Sequence, residues 1–170
     1  MTPAVEKLNH ILSGRPCIVG MGNILRRDDA VGVRIAEGLK KRAPAEASAA
    51  VISAEDVVEN HIFTIAATEC PNVILIDAVA SGGEPGAIVF GPLEELAEVT
   101  WNVSTHKPAL GVCQKILADR GKRVYLLGVV AADVGWGRGL TSEVEKSAAA
   151  LEDLIAGILT SRREKETRSA

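Results

Sequence analysis

The sequence predicts an α/β domain, a three-layer sandwich in which a mostly parallel, twisted sheet lies between helices. Three observations carry this. The runs Pro16-Cys17-Ile18-Val19, Val73-Ile74-Leu75-Ile76 and Val124-Tyr125-Leu126-Leu127 are continuously apolar rather than alternating, as strands covered on both faces are. Segments with helical spacing of apolar residues stand between them, so strand and helix alternate along the chain. Aromatic residues make up only 3% of the chain, so the core must come from Val, Ile, Leu and Ala, the residues of buried parallel strands.

The elements follow in order. Residues 1–13 carry Val5, Leu8, Ile11 and Leu12 at helical spacing and read as a short amphipathic helix over one edge. After the strand at 16–19, Val31, Val33, Ile35 and Leu39 start a helix that closes on Lys40-Lys41-Arg42, basic residues in its last turn. Residues 49–52 read as a weak second strand and 59–70 as a helix. The clearest strand is 73–78, a continuous apolar run ended by an acid. The turn-rich Ser81-Gly82-Gly83-Glu84-Pro85-Gly86 leads to another strand at 87–90. Residues 99–105 read as an irregular connection. Pro108 suits the first turn of a helix reaching Arg120, residues 124–130 form a long buried strand, and 131–140 a glycine-rich loop. A final helix begins at Thr141-Ser142-Glu143, with Val144, Ala148, Leu151, Ile155 and Leu159 on one face. No repeat or linker interrupts this order, so residues 1–161 are expected as one domain and 162–170 as a charged, frayed tail.

Composition removes several function classes. At 170 residues, 47% hydrophobic and 24% charged, the chain suits one well-packed domain. A net charge of −3 without a basic stripe gives no electrostatic case for nucleic acid. No run approaches membrane-spanning length, and residues 1–15 lack the apolar core of a signal peptide. Cys17, Cys70 and Cys113 are odd in number and widely spaced, which reads as reduced core thiols of a cytoplasmic protein. The low aromatic content and the lack of an obvious exposed apolar helix lead to the expectation of a monomer.

The chemistry concentrates in Gly20-Met21-Gly22-Asn23-Ile24-Leu25-Arg26-Arg27-Asp28-Asp29-Ala30-Val31-Gly32, the loop between the first strand and helix. In an open α/β sheet such loops lie at the carboxyl ends of the strands, where ligands bind. The dinucleotide fingerprint G-x-G-x-x-G fails here, because Leu25 stands where its third glycine belongs. Asp28 and Asp29 also put negative charge at a helix N-terminus, where a phosphate would otherwise sit. The loop suits a cation or a proton-transfer site, the alternative being that one aspartate merely caps the helix. Asp77 ends the central strand on the same sheet edge, and an ionised carboxylate there must be paired, hydrogen-bonded or coordinating. The alternative for Asp77 is a cap on neighbouring amides. Of the three histidines, His10 and His61 read as solvated or structural. His106, in Ser104-Thr105-His106-Lys107-Pro108, enters a helix whose positive end favours the neutral imidazole, able to bind metal or accept a proton. Two carboxylates and an imidazole suit a divalent transition metal with open positions, or carboxylate-assisted hydrolysis without a resident metal.

These residues together resemble a known family. Gly20-x-Gly22-Asn23-x-Leu25-x-x-Asp28-Asp29-Ala30-x-Gly32, then Ile76-Asp77-Ala78, then Ser104-Thr105-His106 are similar to the motifs of the hydrogenase maturation proteases. The similarity extends in order through Val58-Glu59-Asn60, Pro85-Gly86, Leu127-Gly128-Val129 and Leu140-Thr141. The resemblance implies a phosphorylase/hydrolase-like fold and an endopeptidase that removes a C-terminal extension from the [NiFe] hydrogenase large-subunit precursor. It places the family's metal-contacting acids on Asp29 and Asp77 and its histidine on His106. These would engage nickel already inserted in the precursor, so the metal is substrate-borne, though other divalent metals can occupy the site; no organic cofactor is implied. One departure stands out: where many relatives carry Asp-Gly-Gly after the second strand, this chain has Ser53-Ala54-Glu55-Asp56. Glu55 or Asp56 is then a candidate for the missing carboxylate. Two other readings compete with the protease: a nickel- or precursor-binding maturation chaperone that does not cleave, and a nucleotide-binding module using Gly20, Gly22, Arg26 and Arg27.

Overall fold

In a computed structural model the described residues are 3–42, 50–100 and 107–169. Among these residues five strands form one sheet: β1 (Pro16–Met21), β2 (Ala50–Glu55), β3 (Asn72–Val79), β4 (Ile88–Pro92) and β5 (Arg123–Val130). Their order across the sheet is β2-β1-β3-β5-β4. The first three and β5 are mutually parallel, and β4 closes one edge antiparallel to β5. Among the described residues six α-helices accompany them: α1 (Pro3–Leu12), α2 (Val31–Arg42), α3 (Ile62–Ala67), α4 (Leu93–Thr100), α5 (Lys107–Asp119) and α6 (Ser142–Arg168). This is the three-layer α/β sandwich expected, with a mixed, mostly parallel sheet.

Alternation along β3 separates the two halves of the core. Ile74, Ile76 and Ala78 face the layer made by α1, α2 and α6, where Leu8, Ile35, Leu39, Leu151 and Ile155 meet them. Val73, Leu75 and Val79 face the other layer, with Ile62 and Ile65 of α3, Leu93 of α4 and Leu110, Cys113 and Leu117 of α5. All of β1 and β3 is buried, which is why their sequences read as unbroken apolar runs. The α2 layer is held close by small residues. A Cβ on Gly32 would lie 2.0 Å from the Ile76 carbonyl oxygen, and one on Gly20 would lie 2.1 Å from that of Gly32. The start of α2 therefore sits directly on the carboxyl ends of β1 and β3. Further along, Arg34 reaches Glu152 at 2.6 Å and Glu145 at 2.9 Å, tying α2 to α6.

Several boundaries differ from the sequence reading. The weak second strand runs longer, to Glu55, while Ala49 lies outside the described residues. The helix expected over 59–70 is a 3-10 turn, Val58–His61, followed by the short α3. Residues 93–100, whose last two were assigned to the irregular connection, form α4, with Glu94 and Glu95 complementing the positive end of its first turn. The remainder of that connection, 101–105, lies outside the described residues. Finally, α6 continues to Arg168, so the charged segment from Arg162 is helical rather than frayed. Among the described residues no helix is long and apolar enough to cross a membrane.

Candidate active site

Strand order places the site. From β1 the chain moves outward to β2, and from β3 it moves the opposite way, towards β4 and β5. The loops leaving β1 and β3 thus diverge and open a crevice between the carboxyl ends of these two neighbours, the usual ligand site in such sheets. Asp29 lies in the loop leaving β1 and Asp77 near the end of β3, so both acids singled out from the sequence flank this crevice. A 3-10 turn, Arg27–Ala30, carries Asp28 and Asp29 and packs against β3.

The two adjacent aspartates have different environments. Asp28 is fully buried. One of its oxygens accepts the Thr141 backbone N–H at 2.7 Å. The other accepts from Ala132 N at 2.9 Å, Asp133 N at 3.0 Å and the Thr141 hydroxyl at 2.8 Å. Its own N–H donates to the Asp133 carbonyl. Asp28 thus fixes the 131–141 loop against the first loop. Backbone bonds from Gly137 N to Leu25 O and from Arg27 N to Gly137 O continue the seam. Neither acid caps α2: Asp28 binds residues 104 to 113 positions away, and Asp29 binds backwards into its own loop.

Asp29 is only partly buried, and its Oδ2 accepts the Asn23 N–H at 2.9 Å. Asn23 is itself held on every side. Its Oδ1 accepts Leu25 N at 2.8 Å, its carbonyl accepts Arg26 N at 3.0 Å, and its Nδ2 donates to Asp56 Oδ2 at 2.8 Å. Gly22, at φ 128°, makes the turn, and a Cβ there would lie 1.6 Å from the Asp29 carbonyl oxygen.

Asp77 is 2% exposed, and its Oδ1 accepts the Ala78 N–H at 2.8 Å. By the alternation of β3 it belongs to the face covered by α3, α4 and α5, and its register partner on β5 is Gly128. His106 lies outside the described residues. The helix that follows it, α5, packs on the face to which Asp77 belongs and leads into the amino end of β5, so its first turn points to the carboxyl edge. Among the described residues no group of three or more His, Cys, Asp or Glu side chains is gathered as a metal centre.

Beside the crevice is a cleft of about 590 Å³ lined by Asn23, Leu25, Ser53, Glu55, Asp56 and His61, among others. The sequence reading set His61 aside as solvated or structural, and the structure puts it in this wall. The signal available was its place beside Glu59-Asn60, close in sequence to the departing segment. That segment forms a bulge: Gly20 pairs with Ser53 but Met21 with Glu55, and Glu55 has φ 50°. The Asp56 carboxylate is engaged with Asn23.

Comparison with known proteins gives this architecture its class. The family model described as hydrogenase maturation protease, HycI, matches residues 33–158. The chain is 29% identical over 150 residues to the Escherichia coli protein named hydrogenase 2 maturation protease, covering 85% of this chain and 90% of that one. A [NiFe] hydrogenase maturation protease HycI from Thermococcus kodakarensis superposes with a TM-score of 0.76 at 29% identity, over 91% of this chain and 99% of that one. The hydrogenase maturating endopeptidase HybD from Escherichia coli superposes with a TM-score of 0.71 at 28% identity, over 86% and 93% of the respective chains. The chain belongs to the hydrogenase maturation protease family and is an endopeptidase of that class.

Proposed function

We propose that this protein removes the C-terminal extension of a [NiFe] hydrogenase large-subunit precursor after nickel has been inserted, with Asp29, Asp77 and His106 engaging the substrate-borne nickel. The observation that carries this reading is the pair of acids at the diverging ends of β1 and β3, within a chain of this family. Their environments suit the two roles. Asp29, partly exposed and steadied by one backbone donor, can meet an incoming ligand without rearranging the core. Asp77 is withdrawn from water, which strengthens its interaction with a cation.

The reaction is hydrolysis of one peptide bond. A water polarised by the metal, or activated by one of the carboxylates, attacks the scissile carbonyl, and the departing amine takes a proton. Substrate-borne nickel then serves as a mark of readiness, because cleavage completes only where the three ligands find a metal. The test is incubation of purified protein with a matched precursor, with and without inserted nickel, followed by intact mass. Nickel-dependent loss of a C-terminal peptide is the expected result. Stable binding without a mass change would establish the non-cleaving chaperone instead.

A further inference from the structure

We propose that Asp56 is a positioning residue for this hydrolysis, setting the Asp29 carboxylate through Asn23. The inference rests on Asp29 acting in the reaction, as proposed above.

The chain of contacts is short and directional. The Asp29 carboxylate is held by a backbone N–H, that of Asn23, so its placement depends on where the Asn23 peptide lies. That peptide is oriented by its own side chain. With Leu25 N donating to Oδ1, the amide cannot be reversed without setting two N–H groups face to face, so Nδ2 must point towards Asp56. Asp56 can only accept there, and an ionised acceptor makes the stronger hydrogen bond. Asp56 directly follows the last residue of β2, so the contact anchors the loop leaving β1 to the end of a neighbouring strand across 33 residues of sequence. A second tie runs in parallel, from Gly22 N to the Glu55 carbonyl at 2.9 Å.

The backbone at Glu55 is bent to make both contacts. A left-handed φ of 50° at a residue other than glycine is sterically disfavoured. Such outliers persist where the surroundings fix them, and they gather at functional sites. Here the bend turns the Glu55 carbonyl onto Gly22 and lets Asp56 reach Asn23. In this proposal the segment's part is to fix a carboxylate already present, that of Asp29.

The test compares Asp56→Ala, Asp56→Asn, Asn23→Ala and the double variant Asp56→Ala/Asn23→Ala. Asp56→Ala is expected to lower kcat for precursor cleavage roughly ten- to a hundredfold, the scale of a displaced catalytic group, with KM changed less than about twofold. Asp56→Asn keeps an acceptor oxygen and restores kcat to within about threefold of the original. The double variant is no slower than Asn23→Ala, because both substitutions cut one chain of contacts. Amide hydrogen exchange by NMR gives a readout independent of cleavage: the Asn23 N–H exchanges faster in Asp56→Ala and not in Asp56→Asn. Equal loss in Asp56→Ala and Asp56→Asn would show that the charge itself acts on substrate and overturn the inference. Unchanged exchange at Asn23 in Asp56→Ala would overturn it too. A parent protein that cleaves nothing would refute the protease function, while exchange at Asn23 would still decide the role of Asp56.

Discussion

Replacing Asp28 by alanine would leave three backbone N–H groups and one hydroxyl facing a space where an acceptor had been. A buried donor without a partner costs about 1–3 kcal/mol, and bonds to a charged acceptor lie in the upper part of that range. Four such losses do not add in full, since water can enter and the Thr141 hydroxyl can turn. A net destabilisation of about 3–5 kcal/mol follows, and at about 2–4 °C per kcal/mol for a chain of this size the melting temperature should drop by roughly 6–20 °C. Asp28→Asn should do somewhat less harm, because one oxygen remains while an NH₂ group now meets donors. The assay is thermal unfolding by circular dichroism of Asp28→Ala beside Asp29→Ala. Asp29, partly exposed and bonded to one amide, should cost no more than about 1–2 kcal/mol. A melting temperature for Asp28→Ala within a degree or two of the parent would refute the reasoning, as would an Asp29 variant that unfolds first.

Asp29→Asn, Asp77→Asn and His106→Ala should each abolish precursor cleavage while leaving the melting temperature within a few degrees, read by intact mass and circular dichroism on the same samples. Gly32→Ala should cost at least about 3 kcal/mol, because its Cβ would press on the Ile76 carbonyl rather than on a movable side chain; a soluble variant with unchanged urea midpoint would contradict this. Glu55→Gly should raise stability by about 0.5–1 kcal/mol by relieving the left-handed residue, with Glu55→Ala giving no gain in the same urea titration. Burial pushes the Cys17 thiol up to about 12, with Cys70 adding to the effect, and burial pushes Cys113 up to about 11. Iodoacetamide should therefore spare both in the native protein at pH 8 and label them in guanidinium. Since these thiols ionise more readily when unfolded, their contribution to stability is complete below the ordinary value of 9.0 and declines as pH rises from there towards 12.

What the sequence made legible follows from how each element is stabilised. Strands β1, β3 and β5 are buried on both faces, and only continuous apolar runs satisfy that, so they could be read directly. The helical stripe of α6 was equally plain, but its charged extension carries no apolar period, and the reading stopped where the stripe did. β2 was underestimated because Ser53 and Glu55 interrupt its apolar pattern, although its backbone stays paired with β1 through the bulge to Glu55. The carboxyl-edge position of Asp29 and Asp77 followed from strand and helix order alone. The division of labour between Asp28 and Asp29 did not. It depends on donors more than a hundred residues away, in a loop whose glycines announce a turn but not its partner. The contact between Asn23 and Asp56 is likewise set by tertiary packing, and from the sequence the segment shows only a loss of glycines and a candidate carboxylate in Glu55 or Asp56.

The reach of α6 has a practical consequence. Its core-facing residues end at Leu159, and the nine residues from there to Arg168 extend about 13 Å further at the helical rise. The helix starts beside Asp28 at the carboxyl edge and travels towards the opposite rim of the sheet. A label, tether or surface attachment placed on its last turn would therefore stand behind the molecule, leaving the crevice facing outward. Capture of a large precursor could then be followed on an immobilised sample without steric interference from the support.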